Sequence, residues 1–255
     1  MLSSLVGWHL ILLLLLVGVP VAALIFLFAR ARKSRSPGDP TPIVNLTLVV
    51  AAFYSALCLL GVVVGFVSTL MTPAVTMTVP VQQYWPLPMP GVEVTSGPTA
   101  QVIGGGFTAA ELTLEDLSLT VRILWASGQA LGTLVPAAIA GLIALMCFQL
   151  LRGAAFAPVV ARAAILTAGV VLVGGLGAQL LCDIAGSMAS SEALNVISAE
   201  WTGYPDDWDI YTALPEPALA VSVDFWPIGA ALGFAALAAV FRYGGILQRD
   251  TETLV

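Results

Sequence analysis

Long uninterrupted apolar stretches constrain this chain more than any other feature of its sequence. Several of them reach the roughly 20 residues that a helix needs to cross a hydrocarbon core of about 30 Å. The composition agrees, because 59% of the 255 residues are hydrophobic and only 9% are charged, which leaves few side chains to solvate a globular surface. Since lipid offers the backbone no hydrogen bonds, such stretches should be helical. The sequence therefore predicts an all-α transmembrane bundle.

Five apolar stretches are predicted to span the membrane. They are Leu5–Phe28, Ile43–Leu70, Ile123–Leu151, Ala161–Leu181 and Val223–Phe241. The first is interpreted as an extra N-terminal helix within residues 1–35, followed by a cytoplasmic linker over 36–42 and a four-helix membrane domain over 43–255. It is expected to be retained, because a cleaved signal peptide has a basic leading region and a shorter apolar core.

The positive charges predict the orientation of the spans. Arg30, Arg32, Lys33 and Arg35 directly follow the first span, and no charged residue precedes it. This asymmetry places the N-terminus outside and the C-terminus in the cytoplasm. Five alternating spans then assign eight of the nine Lys and Arg residues to the cytoplasm and leave only Arg122 outside. The pattern predicts a multi-pass protein of a bacterial plasma (inner) membrane.

Two connections are long enough to form a cap outside the membrane. Residues 71–120 are rich in threonine, valine and proline, and they alternate with period two at Val75–Val79 and Leu112–Leu114, which is typical of short strands. Residues 184–222 form the second insertion, whose acidic and aromatic stretch Glu200–Asp209 is expected to rest at the membrane interface. The sequence thus predicts a small β-rich extracytoplasmic cap.

Two predicted cytoplasmic stretches carry a family resemblance. The loop over 151–158 reads Leu-Arg-Gly-Ala-Ala-Phe-Ala-Pro, and the tail from Phe241 to Val255 contains a Phe-x-x-Gly-x-x-Leu-x-x-Asp-x-Glu pattern. Both resemble an uncharacterised bacterial membrane family catalogued as domain of unknown function 2975, over roughly residues 43–255. Ala155 stands where the family usually has proline, and Thr253 where related tails often have glycine. The resemblance implies four helices and a role in sensing or in sequestering a regulator, and it implies no biochemical activity.

Polar side chains near the outer ends of the last three predicted spans form a first candidate site. This outer polar cluster consists of Arg122, Gln129, Gln179, Asp183 and Asp224. A carboxylate within a membrane is a functional hypothesis by default. Asp183 and Asp224 lie at the edges of their apolar runs, however, where water reaches. Solvated helix ends or an ion pair with Arg122 are therefore weighed against a transport site.

The predicted cytoplasmic loop and tail form a second candidate site. Its members are Phe156, Phe241, Ile246, Leu247, Asp250 and Glu252. The four apolar side chains are expected to pack together beneath the bundle, with an acidic side chain paired to an arginine of the loop. An exposed ion pair contributes only about 0–1 kcal/mol, so packing must supply most of the affinity. A protein partner is expected to bind here.

Small residues recur at a spacing of four in three of the predicted spans. The pairs are Gly61 with Gly65, Gly174 with Ala178, and Gly229 with Gly233. Residues four apart share a helix face and let backbones approach closely. Packing inside one bundle and a homo-oligomer face are both open interpretations of this pattern.

The residues that usually carry enzyme or metal chemistry are sparse. Cys58, Cys147 and Cys182 are expected at different membrane depths, so no disulfide is predicted, and a single histidine cannot assemble a zinc site. No cofactor is expected, and the net charge of −6 argues against a nucleic-acid partner. The sequence predicts a non-enzymatic accessory, sensory or regulatory membrane protein. The alternative is a small-molecule or ion transporter that uses the outer polar cluster.

Overall fold

Four long helices and one small sheet make up the computed structural model of the protein, which describes residues 41–86, 96–97, 99–100, 102–199 and 214–252. In chain order they are α1 (Thr41–Met71), β1 (Val75–Tyr84), β2 (Phe107–Leu114), α2 (Leu119–Leu151), α3 (Pro158–Leu194) and α4 (Trp226–Glu252). The predicted first span, Leu5–Phe28, and the stretch over 200–213 lie outside the described residues.

All four helices are long and apolar enough to cross a membrane. Their mean hydropathies lie between 1.6 and 2.4 over the most apolar window, and each exceeds the roughly 20 residues that a bilayer requires. By length and composition the chain is a multi-pass membrane protein. The prediction of four of the spans is therefore confirmed at this level. Each helix extends past at least one predicted limit, most of all α3, which continues from Leu181 to Leu194, whereas α4 begins at Trp226 and not at Val223.

Local sequence explains where the helices begin and end. Ser118 caps the start of α2, because its Oγ accepts a hydrogen bond from the Val121 amide at 3.4 Å. Gly153 follows the end of α2 with a φ of 72° and donates to the Leu150 carbonyl at 3.0 Å, as is common after a helix. Proline lies in the first turns of α1, α3 and α4, where a missing amide hydrogen costs little.

The described residues divide into two compact units. One unit contains residues 41–62, 132–175 and 225–252, and the other contains the described residues of 63–131 and 176–224. In the sequence, 63–131 and 176–224 hold twelve of the fifteen acidic residues and one of the nine basic ones, Arg122. We call this the acidic unit. The other, whose described residues include Arg152, Arg162, Arg242 and Arg249, is the basic unit.

The acidic unit has a core formed between the hairpin and the helices. β1 and β2 pair antiparallel from Val75 opposite Leu114 to Pro80 opposite Ala109, with an irregularity before Tyr84 opposite Phe107. Alternate β1 side chains are buried against side chains of α2 and α3, and the buried cluster comprises Val75, Met77, Val79, Leu117, Val121, Ala185 and Ala189. This packing gives a two-stranded hairpin the support that it lacks alone. The prediction of a small β-rich element is confirmed, with strands longer than expected.

The core of the basic unit is made of smaller side chains. Leu142, Ala164 and Ala238 are buried together, and Met146 and Phe234 pack against them. The Ser55 hydroxyl of α1 donates to the Ala137 carbonyl at 2.9 Å, which satisfies the hydroxyl away from water.

Two of the three small-residue pairs do not provide close packing within the described chain, whereas in the third pair Gly174 is buried and the Ala178 carbonyl oxygen would lie 3.1 Å from a Cβ atom at Gly128. Among the described residues, a Cβ atom placed at Gly61, Gly65, Gly229 or Gly233 would meet no atom of another element within 4 Å. On α1, Ala51 is buried and the Ser55 hydroxyl contacts α2 instead. An oligomer face remains a prediction.

We predict that Met77→Ala destabilises the acidic unit by about 2–5 kcal/mol, because removing a large buried side chain leaves a cavity. Met77 is only 1% exposed. The measurement is thermal unfolding of the detergent-solubilised protein. Met71→Ala is the matched control, since Met71 is 80% exposed, and equal unfolding temperatures for the two variants would contradict the prediction.

Candidate functional site

The outer polar cluster lies entirely in the acidic unit, but its members belong to separate networks. Arg122 contacts the end of α1, whereas Gln179 and Asp183 contact the residues that precede α4. Gln129 donates to the Cys182 sulfur at 3.9 Å. The sequence predicts that the five residues lie at a similar membrane depth. In the structure they contact different partners.

Arg122 binds backbone carbonyls in the place where the sequence suggested a carboxylate. Its guanidinium donates to the carbonyls of Leu70 at 3.2 Å and Pro73 at 2.6 Å, and also to that of Thr72. The last carbonyls of a helix have no partner within the helix, and a positive charge there is favourable. Arg122 therefore caps α1 from the first turn of α2, and the hypothesis of an ion pair with Asp183 or Asp224 is not supported within the described residues.

A row of polar side chains along α3 holds the segment that leads into α4. We call residues 217–224 the strap. Four amides of the strap donate to four side-chain oxygens of α3: Ala218 to Ser190 at 3.2 Å, Ala220 to Ser187 at 3.2 Å, Ser222 to Asp183 at 2.6 Å, and Asp224 to Gln179 at 2.7 Å. We call these four side chains the α3 ladder.

The α3 ladder can form because the repeat distance along an extended chain is close to the repeat distance along one face of an α-helix. Two residues of an extended chain advance about 6.6–6.8 Å, and four residues of an α-helix advance about 6 Å. Every second amide of the strap can therefore reach the next side chain on one face of α3, with the two chains running in opposite directions. The helix side chains take the place that a neighbouring strand would occupy in a sheet.

The same face of α3 also receives β1. The Ser190 hydroxyl is fully buried and donates to the Pro80 carbonyl at 2.6 Å, so this one hydroxyl joins β1 to the strap. Gly186 allows the close approach, because a Cβ atom there would lie 2.7 Å from the Thr78 carbonyl oxygen. The strap also meets β1 directly, since Pro217 forms an antiparallel bridge opposite Val81, next to a hydrogen bond from the Gln82 amide to the carbonyl of Glu216, the residue before the strap, at 3.0 Å.

Sequence reasoning found half of the α3 ladder. Gln179 and Asp183 were singled out for their depth, and Ser187 and Ser190 were missed because serine is common in helices of this kind. The spacing of four, four and three residues places all four on one face of α3. A search for polar residues at helical spacing would have found them.

In the basic unit, the second candidate site is built around Phe156. Its ring lies 6.1 Å from that of Phe241, at an interplanar angle of 52°, and a Cβ atom at Gly244 would collide with it. The loop before α3 thus inserts an aromatic side chain against a notch in α4. Among the described residues, Ile246 and Leu247 are 49% and 68% exposed, and the ring contact of Phe156 is with Phe241.

The acidic residues of this second site lie at the end of α4. Asp250 is exposed in the last turn, and Glu252 is the residue at which the helix ends. Arg152 of the loop lies with its guanidinium carbon 4.5 Å from the centroid of the Phe148 ring. This contact within α2 and its C-terminus is a cation–π interaction, and it gives Arg152 a partner other than the expected acidic side chain.

The described residues hold no group of three or more His, Cys, Asp or Glu side chains that could bind a metal ion. Comparisons with protein-family models, with curated proteins and with solved structures find no match for the chain. The geometry of the two units therefore carries the functional argument.

We predict that Ser190→Ala costs about 1–3 kcal/mol, because it leaves the Pro80 carbonyl and the Ala218 amide without their buried partner. Hydrogen exchange of the strap amides should accelerate together with the fall in unfolding temperature. Ser191→Ala is the matched control, since the Ser191 hydroxyl donates to the Ser187 carbonyl of its own helix. Unchanged exchange in Ser190→Ala would refute the role of the α3 ladder.

We predict that Gly244→Val displaces Phe156 and destabilises the basic unit by about 1–3 kcal/mol, the usual cost of overpacking. Limited proteolysis of the loop over 151–158 measures the displacement. Gly233→Val provides the comparison in the same helix, because a Cβ atom there meets open space. Equal cleavage rates for the two variants would show that the notch does not hold the loop.

Proposed function

We propose that this protein is a non-enzymatic accessory, sensory or regulatory subunit of a bacterial plasma membrane. In this proposal the acidic unit faces the outside and the basic unit faces the cytoplasm. The orientation follows from the positive-inside rule, because the described residues of the basic unit hold four of the nine basic residues, and the sequence stretch between the first two predicted spans, on the same predicted side, holds four more. The proposal includes a fifth span over Leu5–Phe28 and membership of the family named above.

The observation that carries the proposal is that side chains of the outer polar cluster are hydrogen-bonded to backbone groups. Gln179 and Asp183 accept hydrogen bonds from strap amides, and the Arg122 guanidinium is bound by three carbonyls. A transport site needs polar groups that can exchange partners with a passing solute. Groups engaged in holding the backbone support a structural role for the cluster and favour an accessory function over transport.

The cytoplasmic end of α4 supports a role in binding a partner. Tyr243, Ile246 and Leu247 are exposed apolar side chains on its last turns, and Arg242 and Arg249 lie among them. Apolar side chains that are ringed by charge are typical of protein interaction surfaces. The loop that carries Phe156 adjoins this surface through its contact with Phe241.

The experiment is affinity purification of the tagged full-length protein from its native membrane in mild detergent, followed by mass spectrometry. We expect a stoichiometric protein partner. Leu247→Ala should reduce its recovery, because truncating an interface side chain often costs more than 1 kcal/mol. Leu166→Ala is the matched control, since Leu166 is 70% exposed within a spanning helix.

Two outcomes would contradict the proposal. One is the absence of any reproducible partner, combined with solute uptake by proteoliposomes that contain the purified protein. The other is a partner whose recovery falls equally in the Leu247 and Leu166 variants, because that result would assign the loss to the membrane domain in general and not to the tail.

A further inference from the structure

Within the described residues, the hairpin of the acidic unit has one covered edge and one open edge. The Pro80 carbonyl accepts a hydrogen bond from the Ser190 hydroxyl, so it points away from β2 and toward α3. Proline has no amide hydrogen, and Pro80 lies opposite Ala109. The pair formed by Pro80 and Ala109 is therefore one whose members do not bond to each other across the ladder.

This pairing fixes which groups of β2 point outward. In an antiparallel ladder, bonded and non-bonded pairs alternate, so Glu111 opposite Thr78 and Thr113 opposite Thr76 are also non-bonded pairs. The close approach of the Thr76 and Thr113 hydroxyls, 2.9 Å apart, fits this assignment. The backbone amides and carbonyls of Ala109, Glu111 and Thr113 consequently face the outer edge of β2.

Within the described residues, no strand covers this outer edge, since the sheet has two strands in the order β1-β2. Three successive outward pairs of amide and carbonyl groups form a template for another extended chain. Edges of this kind bind peptides by strand addition, in which backbone bonds give affinity and side chains give specificity.

The surroundings of the edge select a basic partner. Glu111 lies on the strand, and Glu115 and Asp116 follow it at once. At the other end of β2, the rings of Trp85 and Phe107 stack 5.4 Å apart with an interplanar angle of 9°, and they are 46% and 56% exposed. Exposed aromatic faces attract lysine and arginine side chains.

We propose that the open edge of β2 binds an extended segment of a partner protein that carries lysine or arginine residues. This inference rests on the proposed function and names the chemistry of the partner on the side of the acidic unit. Backbone bonds to Ala109, Glu111 and Thr113 hold the segment, and its cationic side chains meet the acidic residues and the Trp85 and Phe107 rings.

The charge of the chain disfavours two other occupants. A second copy would bring a second unit with the same excess of acidic residues. Residues 200–213 of the chain itself contain four acidic residues and no lysine or arginine. Like charges placed opposite each other destabilise a strand pair, whereas a basic segment gains from the same field.

The test uses random peptides displayed on phage and selected on the full-length protein in nanodiscs, with counter-selection on empty nanodiscs. We expect the enriched peptides to carry lysine or arginine. Each enriched peptide is then synthesised in two forms, N-methylated at alternate residues on one edge or on the other. Strand addition uses one edge of the peptide, so one form should bind at least about tenfold more weakly than the other.

Ala109→Pro is the matching change in the protein. It removes an outward amide hydrogen without removing a ladder bond, a position at which strands tolerate proline, and it should weaken peptide binding at least about tenfold. Ala109→Val keeps the amide and is the control. Unfolding temperature reports whether the hairpin is intact, and the two N-methylated peptides keep the test decisive if Ala109→Pro unfolds.

Four outcomes would overturn the inference: no enriched peptide, enriched peptides without basic residues, equal binding of the two N-methylated forms, or a dimer of the protein that only Ala109→Pro dissociates. Failure here is distinguishable from failure of the proposed function. A native partner that copurifies equally with wild type and with a folded Ala109→Pro variant leaves the accessory function standing and removes only the strand-addition site.

Discussion

The acidic unit depends on one face of α3, where side chains accept and donate hydrogen bonds that a sheet would otherwise provide. The α3 ladder holds the strap, and its last member, Ser190, also holds β1. A two-stranded hairpin is marginal in water, and a strap without a neighbouring strand would leave its amides to solvent. Because side chains of α3 bond to backbone groups of both, the hairpin and the strap, which are far apart in sequence, are held by the same helix face.

This arrangement changes how polar residues near the membrane edge are interpreted. Asp183 and Gln179 have the chemistry that a transport site would use, yet each accepts a hydrogen bond from a backbone amide. Arg122 is the basic residue of the acidic unit, and its guanidinium donates hydrogen bonds to carbonyls at the end of α1. An ionisable group beside an apolar run is a functional hypothesis by default, and hydrogen bonds to the backbone give Asp183 and Arg122 a structural role in the described residues.

The sequence predicted which helices exist more accurately than it predicted where they end. The apolar run of α3 ends near Leu181, where the membrane was expected to end, but the helix continues to Leu194. Its outer turns bury Ala185 and Ala189 against the hairpin, so tertiary packing and not hydropathy sustains them. Similarly, β2 was predicted over Leu112–Leu114 and begins at Phe107. Alanine has a low strand propensity, and the hydrogen bonds to β1 hold this part of the chain as a strand.

The sequence by itself determined the four long apolar helices, the small sheet and the segregation of charge, because hydropathy, residue periodicity and the sign of a side chain are local properties that lipid and water sort directly. Only the tertiary structure decided which polar groups meet. Ser190 and Pro80 are 110 positions apart, and the Gly244 notch acquires its meaning from the ring of Phe156. Such contacts depend on how the helices and strands pack, and the sequence of one segment does not determine which distant segment packs against it.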